Sequence, residues 1–249
     1  MDRPRNYIFD FNHSYEDALP PEIHRYDCSG IRGSELYCSE EAAAALCAII
    51  RTNGISGIHF LDSGDYHYIT RLMTSFLAYP YDLLLIDHHT DMQEAAFGEL
   101  LSCGNWAADL LRYDAHLQHL FLVGPDDAAL DEAEAASEKV IAIRCSELLA
   151  GSVPAGMQMI SHPVYISIDK DVLSRRYAVT NWDQGDMSLA VMEQVLADVI
   201  EAHEVIGVDI CGDLPGTLVL PDYQHADRIN AASDRALYCF FKRLLCAMM

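Results

Sequence analysis

The chain has 249 residues, of which 51% are hydrophobic and 22% charged, and its 38 acidic and 16 basic side chains give a formal net charge of −22. This length suits one large domain with a well-covered core. Such acidity repels phosphate backbones and anionic bilayers, so neither nucleic acid nor a membrane is expected as a partner. The eight cysteines are scattered, without a CxxC pair or finger-like spacing, and several lie inside apolar helical runs. They read as free thiols in a reducing cytoplasm. The opening stretch MDRPRNYIFDFNH has no apolar leader core, and no apolar run approaches membrane-spanning length, which fits a cytoplasmic protein.

Short apolar runs of strand length recur along the chain: NYIFDF, ISGIHFLD, YDLLLID, HLFLVG, KVIAI, PVYISID and EVIGVDI. Helical patterns lie between them. SEEAAAALCAIIRTNG opens on Ser39 as a cap with an acidic first turn and stops at Gly54. GNWAADLLRYD, DEAEAASEK and SLAVMEQVLADVIEAH follow the same logic. The last predicted helix, from His225 onward, puts Ile229, Ala232, Ala236, Leu237, Phe240, Phe241, Leu244 and Leu245 on one stripe. Strand–helix alternation with near-continuous apolar strands predicts an α/β fold in three layers, with a central parallel sheet covered on both faces. Residues 1–249 are expected to form a single domain. VLSRRYAVTNWDQGDMS, residues 172–188, reads as a long loop of the kind that often carries function.

Ligands of parallel α/β sheets bind beyond the carboxyl ends of the strands. Here four apolar runs end in acids or histidines: FLDSGDYH, DHHTD, DKD and DICGD. Alternation would turn Asp87, His89 and Asp91 to one side and His88 and Thr90 to the other, and would pair Asp169 with Asp171 while sending Lys170 away. Five candidate ligands then converge, with His67 as a sixth. Taken singly, D-x-H-x-D is a weak signal and Asp–Lys–Asp is a common surface pattern. Jointly, so many acids at one place need cationic compensation. Oxygen-rich ligation with a few imidazoles suits Mn2+ better than a thiolate-preferring metal. Four aspartates balance two divalent ions, and such a pair can turn water into a nucleophile near neutral pH.

These residues also carry a resemblance. DHHTD is similar to the D-A-H-x-D motif of the arginase/agmatinase/formiminoglutamase (ureohydrolase) family, and SIDKDVL to its S-x-D-x-D motif. SGDYH stands where that family has G-G-D-H, and GVDICGDLP where it has G-x-D-x-x-E-x-x-P. Order and approximate spacing agree across residues 55–215. The resemblance implies an arginase-like α/β fold, often homo-oligomeric, with two Mn2+ ions. It implies Asp87 and Asp169 as bridging ligands, His67 and Asp91 completing one ion, and His89 and Asp171 the other. Asp91 would also orient the nucleophile in hydrolysis of a guanidino or formimino C–N bond.

Three departures qualify it. Tyr66 intrudes before His67, so the histidine needs a local shift to bind. The family glutamate that grips the guanidinium falls on Gly212, with Asp213 one place later as its candidate replacement in a catalytic and substrate-binding role. CGNWA resembles the arginases' S-G-N-x-H, with Ala107 in the histidine's place. An ordinary arginase is therefore not expected, and a small molecule of another kind is the expected substrate. Asn105 is a candidate substrate contact or a helix cap, Asp183 a substrate contact or a turn closer, and Trp106 a pocket wall or a core residue. Two other readings remain at this level: an Mn2+-dependent DHH phosphoesterase, suggested by LLLIDHH, and a catalytically silent metal-binding relative.

Overall fold

The computed structural model describes residues 5–15, 18–95, 98–149, 153–215 and 221–247. Strands and helices alternate along them: β1 (Tyr7–Asp10), β2 (His24–Asp27), β3 (Tyr37–Cys38), α1 (Glu40–Asn53), β4 (Ile58–Phe60), α2 (Ile69–Thr74) and β5 (Tyr81–Ile86). There follow β6 (Leu101–Ser102), α3 (Trp106–Tyr113), β7 (Leu117–Val123), α4 (Asp127–Ala136), β8 (Val140–Ile143) and α5 (Cys145–Leu148). β9 (Val164–Asp169), α6 (Leu189–Ala202), β10 (Val205–Cys211) and α7 (Asp222–Ala247) complete the order.

Eight strands form one sheet in the order β2-β1-β4-β10-β9-β5-β7-β8, and every pairing in it is parallel. All seven apolar runs of the sequence fall in this sheet. They are apolar throughout because both faces are covered. In β5, Leu84 and Ile86 enter the core on one face, with residues of α6 and α7. Leu83 and Leu85 enter the core on the other, with residues of α1 to α4. The remaining member, β2, reads HRYD and is largely exposed at the sheet edge, so no apolar run announces it.

α1 begins where Ser39 accepts a bond from the Ala42 amide and ends at Gly54. The stripe expected on α7 needs correction. Ala232 is exposed and Ile229 half-buried, while Asn230, Ser233 and Asp234 are buried. The inner face of the helix is polar in its first half because it meets loop backbone rather than sheet. Asn230 bonds Val179 through both its amide groups, and Ser233 donates to the Tyr177 carbonyl. Among the described residues, no helix is long and apolar enough to cross a membrane, and Cys28, Cys38, Cys47, Cys103, Cys145, Cys211 and Cys239 are free.

Candidate metal centre

The four strands β4, β10, β9 and β5 are neighbours in the middle of the sheet, and all four acid-bearing segments leave their carboxyl ends. After β4, a single 3-10 turn (Gly64–Tyr66) takes up the extra residue of SGDYH. Tyr66 stacks on Phe11 at 3.7 Å, and His67 swings inward and is fully buried. After β5 the chain turns at once, with Asp91 in the left-handed region at φ 51°, a conformation that aspartate tolerates and that costs energy elsewhere. The convergence of Asp87, His89 and Asp91 thus comes from this turn and not from strand alternation. After β9, a turn over Lys170–Val172 places Asp171 beside Asp169, whose side chain accepts from the Asp171 amide.

Two triads result. His67 Nδ1 lies 3.0 Å from Asp91 Oδ2, 3.2 Å from Asp87 Oδ2 and 3.7 Å from Asp169 Oδ2. His89 Nδ1 lies 2.9 Å from Asp171 Oδ2 and 3.6 Å from Asp87 Oδ1. Asp87 belongs to both, one oxygen to each. The groups His67–Asp87–Asp91 and Asp87–His89–Asp171 each have ligand atoms close enough to share a cation. His67 Nδ1 makes no hydrogen bond of proper geometry, although three carboxylate oxygens surround it. A buried ring nitrogen without a hydrogen-bond partner, surrounded by carboxylate oxygens, fits a shared cation better than a set of direct bonds.

The other ring nitrogen of His67 is fixed. Nε2 meets Ser167 Oγ at 2.9 Å, and Ser167 donates to Asp209 Oδ1 at 2.7 Å. Such a carboxylate-backed histidine has its tautomer set for ligation through the free nitrogen. Asp209 is buried and pushed up to about 6 by that burial.

Electrostatics points the same way. Burial, then the Asp87 charge, pushes Asp91 up to about 6. Asp169 rises above the usual carboxylate range through burial and then Asp87. Asp171 rises well above it through burial, then Asp169 and Asp87. Asp87 alone falls below that range, its bonds to His67 and His89 outweighing burial. His89 is pushed up to about 11 by Asp171 and then Asp87. Four buried carboxylates that resist ionising together are what divalent cations would neutralise. The donor set fits such ions.

Around these groups lies a cavity of about 30 Å3, enough for one or two water-sized occupants. Trp182, from the long loop, lies against it; its indole nitrogen donates to Asp65 Oδ1 at 3.0 Å. Gly64 makes this approach possible, since a Cβ there would stand 2.8 Å from Asp169 Oδ2 and 3.0 Å from the Trp182 ring. Trp106 is a core residue and not a pocket wall: it is fully buried, does not line the cavity, and its Nε1 donates to Asp91 Oδ2. Neither role of Trp182 nor that of Cys211, described below, was legible in the sequence, because both depend on how distant segments pack.

Three expected substrate contacts lie elsewhere. Asp213 is buried, and its carboxylate accepts from Lys170 Nζ at 2.9 Å, with Asp234 of α7 on the same ammonium. Lys170, pointing away from the metal ligands as alternation predicted, needs two carboxylates to offset its complete burial. Asp213 is therefore spent on that ion pair and does not line the cavity. Asp183 is exposed in its loop and does not line the cavity either. Asn105 starts α3, but its side chain caps nothing in the helix; it bonds the Ser102 amide and the Leu100 carbonyl. It borders a separate groove of about 560 Å3 that meets the metal cavity at Gln93.

Gly212 explains the missing glutamate. Its φ is 92°, and a Cβ would stand 2.4 Å from Asp169 Oδ1 and 2.7 Å from the Lys170 amide. The chain passes too close to Asp169 and to the Lys170 backbone for any side chain at this place.

The parallel sheet, with carboxylates and imidazoles gathered at the ends of its central strands, defines an α/β protein with a candidate binuclear centre. A model of the Arginase family matches residues 41–231, and the chain belongs to that family. An uncharacterized protein of Thermotoga maritima is 29% identical over 247 residues, 97% of this chain and 92% of that protein. Formimidoylglutamase from Bacillus subtilis shares the fold at a TM-score of 0.61 and 14% identity, over 95% of this chain and 86% of the other. Trypanosoma cruzi formiminoglutamase with Mn2+ does so at 0.62 and 16% identity, over 88% and 75%. The phosphoesterase reading of LLLIDHH falls away with the family match.

Proposed function

We propose that this chain is a metal-dependent hydrolase that cleaves a C–N bond of a guanidino, amidino or formimino small molecule, as a single arginase-like unit of residues 1–249. One observation carries the reading: two candidate ligand triads that share Asp87, at the carboxyl ends of the central strands, with Asp169 Oδ2 3.7 Å from His67 Nδ1. Two divalent ions, Mn2+ by the preference of oxygen-rich ligands, would be held by His67, Asp87, Asp91, Asp169, His89 and Asp171. When bound, they neutralise the four carboxylates and lower the pKa of water enough to make it a nucleophile near neutral pH.

The chain's own groups do the rest. Asp91 has one oxygen fixed by the Trp106 indole, leaving the other to accept a hydrogen bond from the attacking water and orient it. The Ser167–Asp209 pair holds the His67 ring. Trp182 shields the reacting atoms from bulk solvent. With Gly212 unable to carry a carboxylate and Asp213 committed to Lys170, no acid grips a guanidinium as the family resemblance implied, so the substrate differs from that of an ordinary arginase. A small-molecule substrate, a cytoplasmic setting and a homo-oligomer complete the proposal.

The test is release of urea or ammonia by the Mn2+-loaded protein across a panel of guanidino and formimino compounds, with Asp91→Asn alongside. Turnover that falls at least about a hundredfold in the variant is expected. Bound metal without turnover on any member of the panel would favour a catalytically silent relative, a reading to which Gly212 and Ala107 lend weight.

A further inference from the structure

The cluster at the strand ends holds a sulfur atom as well as oxygens and nitrogens. Cys211, the last residue of β10, is the direct ladder partner of Asp169, the last residue of β9. Parallel partners direct their side chains to the same side of the sheet, and the thiol Sγ lies 3.2 Å from Asp169 Oδ2. Cys211 is fully buried. Its sulfur, a nitrogen of His67 and an oxygen of Asp169 lie within 4.8 Å of one another. Two members of this trio are already ligands of one ion in the reading above.

The spacing suits direct ligation. With a metal–sulfur bond of about 2.3 Å and a metal–oxygen bond of about 2.1 Å, a 3.2 Å sulfur–oxygen edge subtends about 90° at the ion. That is a normal angle between neighbouring ligands of a five- or six-coordinate metal. Gly212 contributes as well: its missing side chain lets the end of β10 close on Asp169.

Resting on the metal reading of this site, we infer that Cys211 is a thiolate ligand of the ion on the His67 side, which biases that position toward Zn2+, Co2+ or Fe2+ and away from Mn2+. On binding, the Sγ–H bond breaks, a metal–sulfur bond forms and the proton leaves to solvent; nothing is oxidised or reduced. The two positions of the centre then differ chemically. The His89 side keeps only oxygen and nitrogen ligands, the harder set, and the His67 side gains a soft one.

Cobalt reports this directly. Chelator-treated full-length protein is loaded with Co2+, and its near-ultraviolet spectrum is compared for wild type, Cys211→Ser and Cys103→Ser. Cys103 lines the cavity but belongs to no ligand group, so it controls for a thiol merely close by. A sulfur-to-cobalt charge-transfer band is expected in wild type and Cys103→Ser and absent from Cys211→Ser. Zn2+ affinity should fall at least about tenfold in Cys211→Ser, while Mn2+ affinity changes by less than about threefold. If Cys211→Ser does not fold, the band in Cys103→Ser decides, because Cys211 is the one cysteine among the described residues grouped with other ligands. Bound cobalt without the band overturns the thiolate and leaves the metal centre standing. No bound cobalt overturns both.

Discussion

The two edges of the central sheet use the same side chains for opposite ends. At the carboxyl edge, Asp87, Asp91, Asp169 and Asp171 face two imidazoles, and His67 Nδ1 goes without a well-formed hydrogen bond. At the amino edge, Asp82 meets His119 and His162, with ligand atoms again within 4.8 Å. There the carboxylate is saturated by backbone: it accepts from the amides of His119, Ser161 and His162 at 3.1, 2.9 and 3.0 Å, and pairs with His119 Nδ1 at 3.0 Å. One aspartate with four donors ties three segments together. Four aspartates that share six such donors, on average fewer than two each against four on Asp82, make a candidate cation site. Residue type does not separate the two clusters; the supply of donors does.

This contrast can be broken at either edge. The largest effect is expected from Gly212→Glu, which writes the family's residue back into the chain. The new side chain would meet Asp169 at a backbone position of positive φ, so the variant should lose more than about 4 kcal/mol of stability and its metal binding. Gain of guanidine hydrolysis by a folded Gly212→Glu protein would contradict the account of this turn. Next comes Asp82→Ala, which strands three backbone amides and should cost about 3 kcal/mol in denaturant unfolding, with metal affinity unchanged. Metal loss in Asp82→Ala would show the amino edge to be coupled to the site.

A third prediction concerns pH. His59 is fully buried, donates only to the Ile55 carbonyl, and is pushed down to about 4 by burial. The unfolded chain then takes up the proton first, so stability falls as pH drops from about 6.5 toward 4 and is fully restored above 6.5. His59→Gln should remove up to about 3 kcal/mol of that acid loss, read as the difference between the two unfolding curves across this window. A parallel pair of curves would refute it. The smallest effect has the opposite sign. Asp171 has its pKa raised by burial and by Asp169 and Asp87, so its charge destabilises the metal-free fold increasingly as pH rises above the usual carboxylate range. Asp171→Asn should raise the melting temperature of metal-free protein at neutral pH and leave it unchanged in acid, while lowering it in the presence of metal.

Much of this was legible beforehand. Central parallel strands must be apolar on both faces, so YDLLLI and VYISI announce themselves, whereas the exposed edge strand HRYD does not. α2, only six residues long, sits too close to the DYH segment to show a period of its own. The cluster of six candidate ligands was readable because acids at successive strand ends have one edge to share. Asp213 was misread because its neighbour in sequence is not its partner in space: the demand of buried Lys170 is met jointly with Asp234, on a helix 64 residues further along. Cys211 was passed over because scattered cysteines carry no spacing signal, and only the β9–β10 register sets it against Asp169.

The most direct test of the proposed metal centre is a count of divalent ions bound to chelator-stripped protein by titration calorimetry with Co2+, wild type beside Asp87→Asn. The shared position of Asp87 between the two triads predicts two ions per chain in wild type and loss of both strong sites in a variant that still folds. Absence of binding in wild type, or equal binding by the two proteins, would contradict a centre built around Asp87.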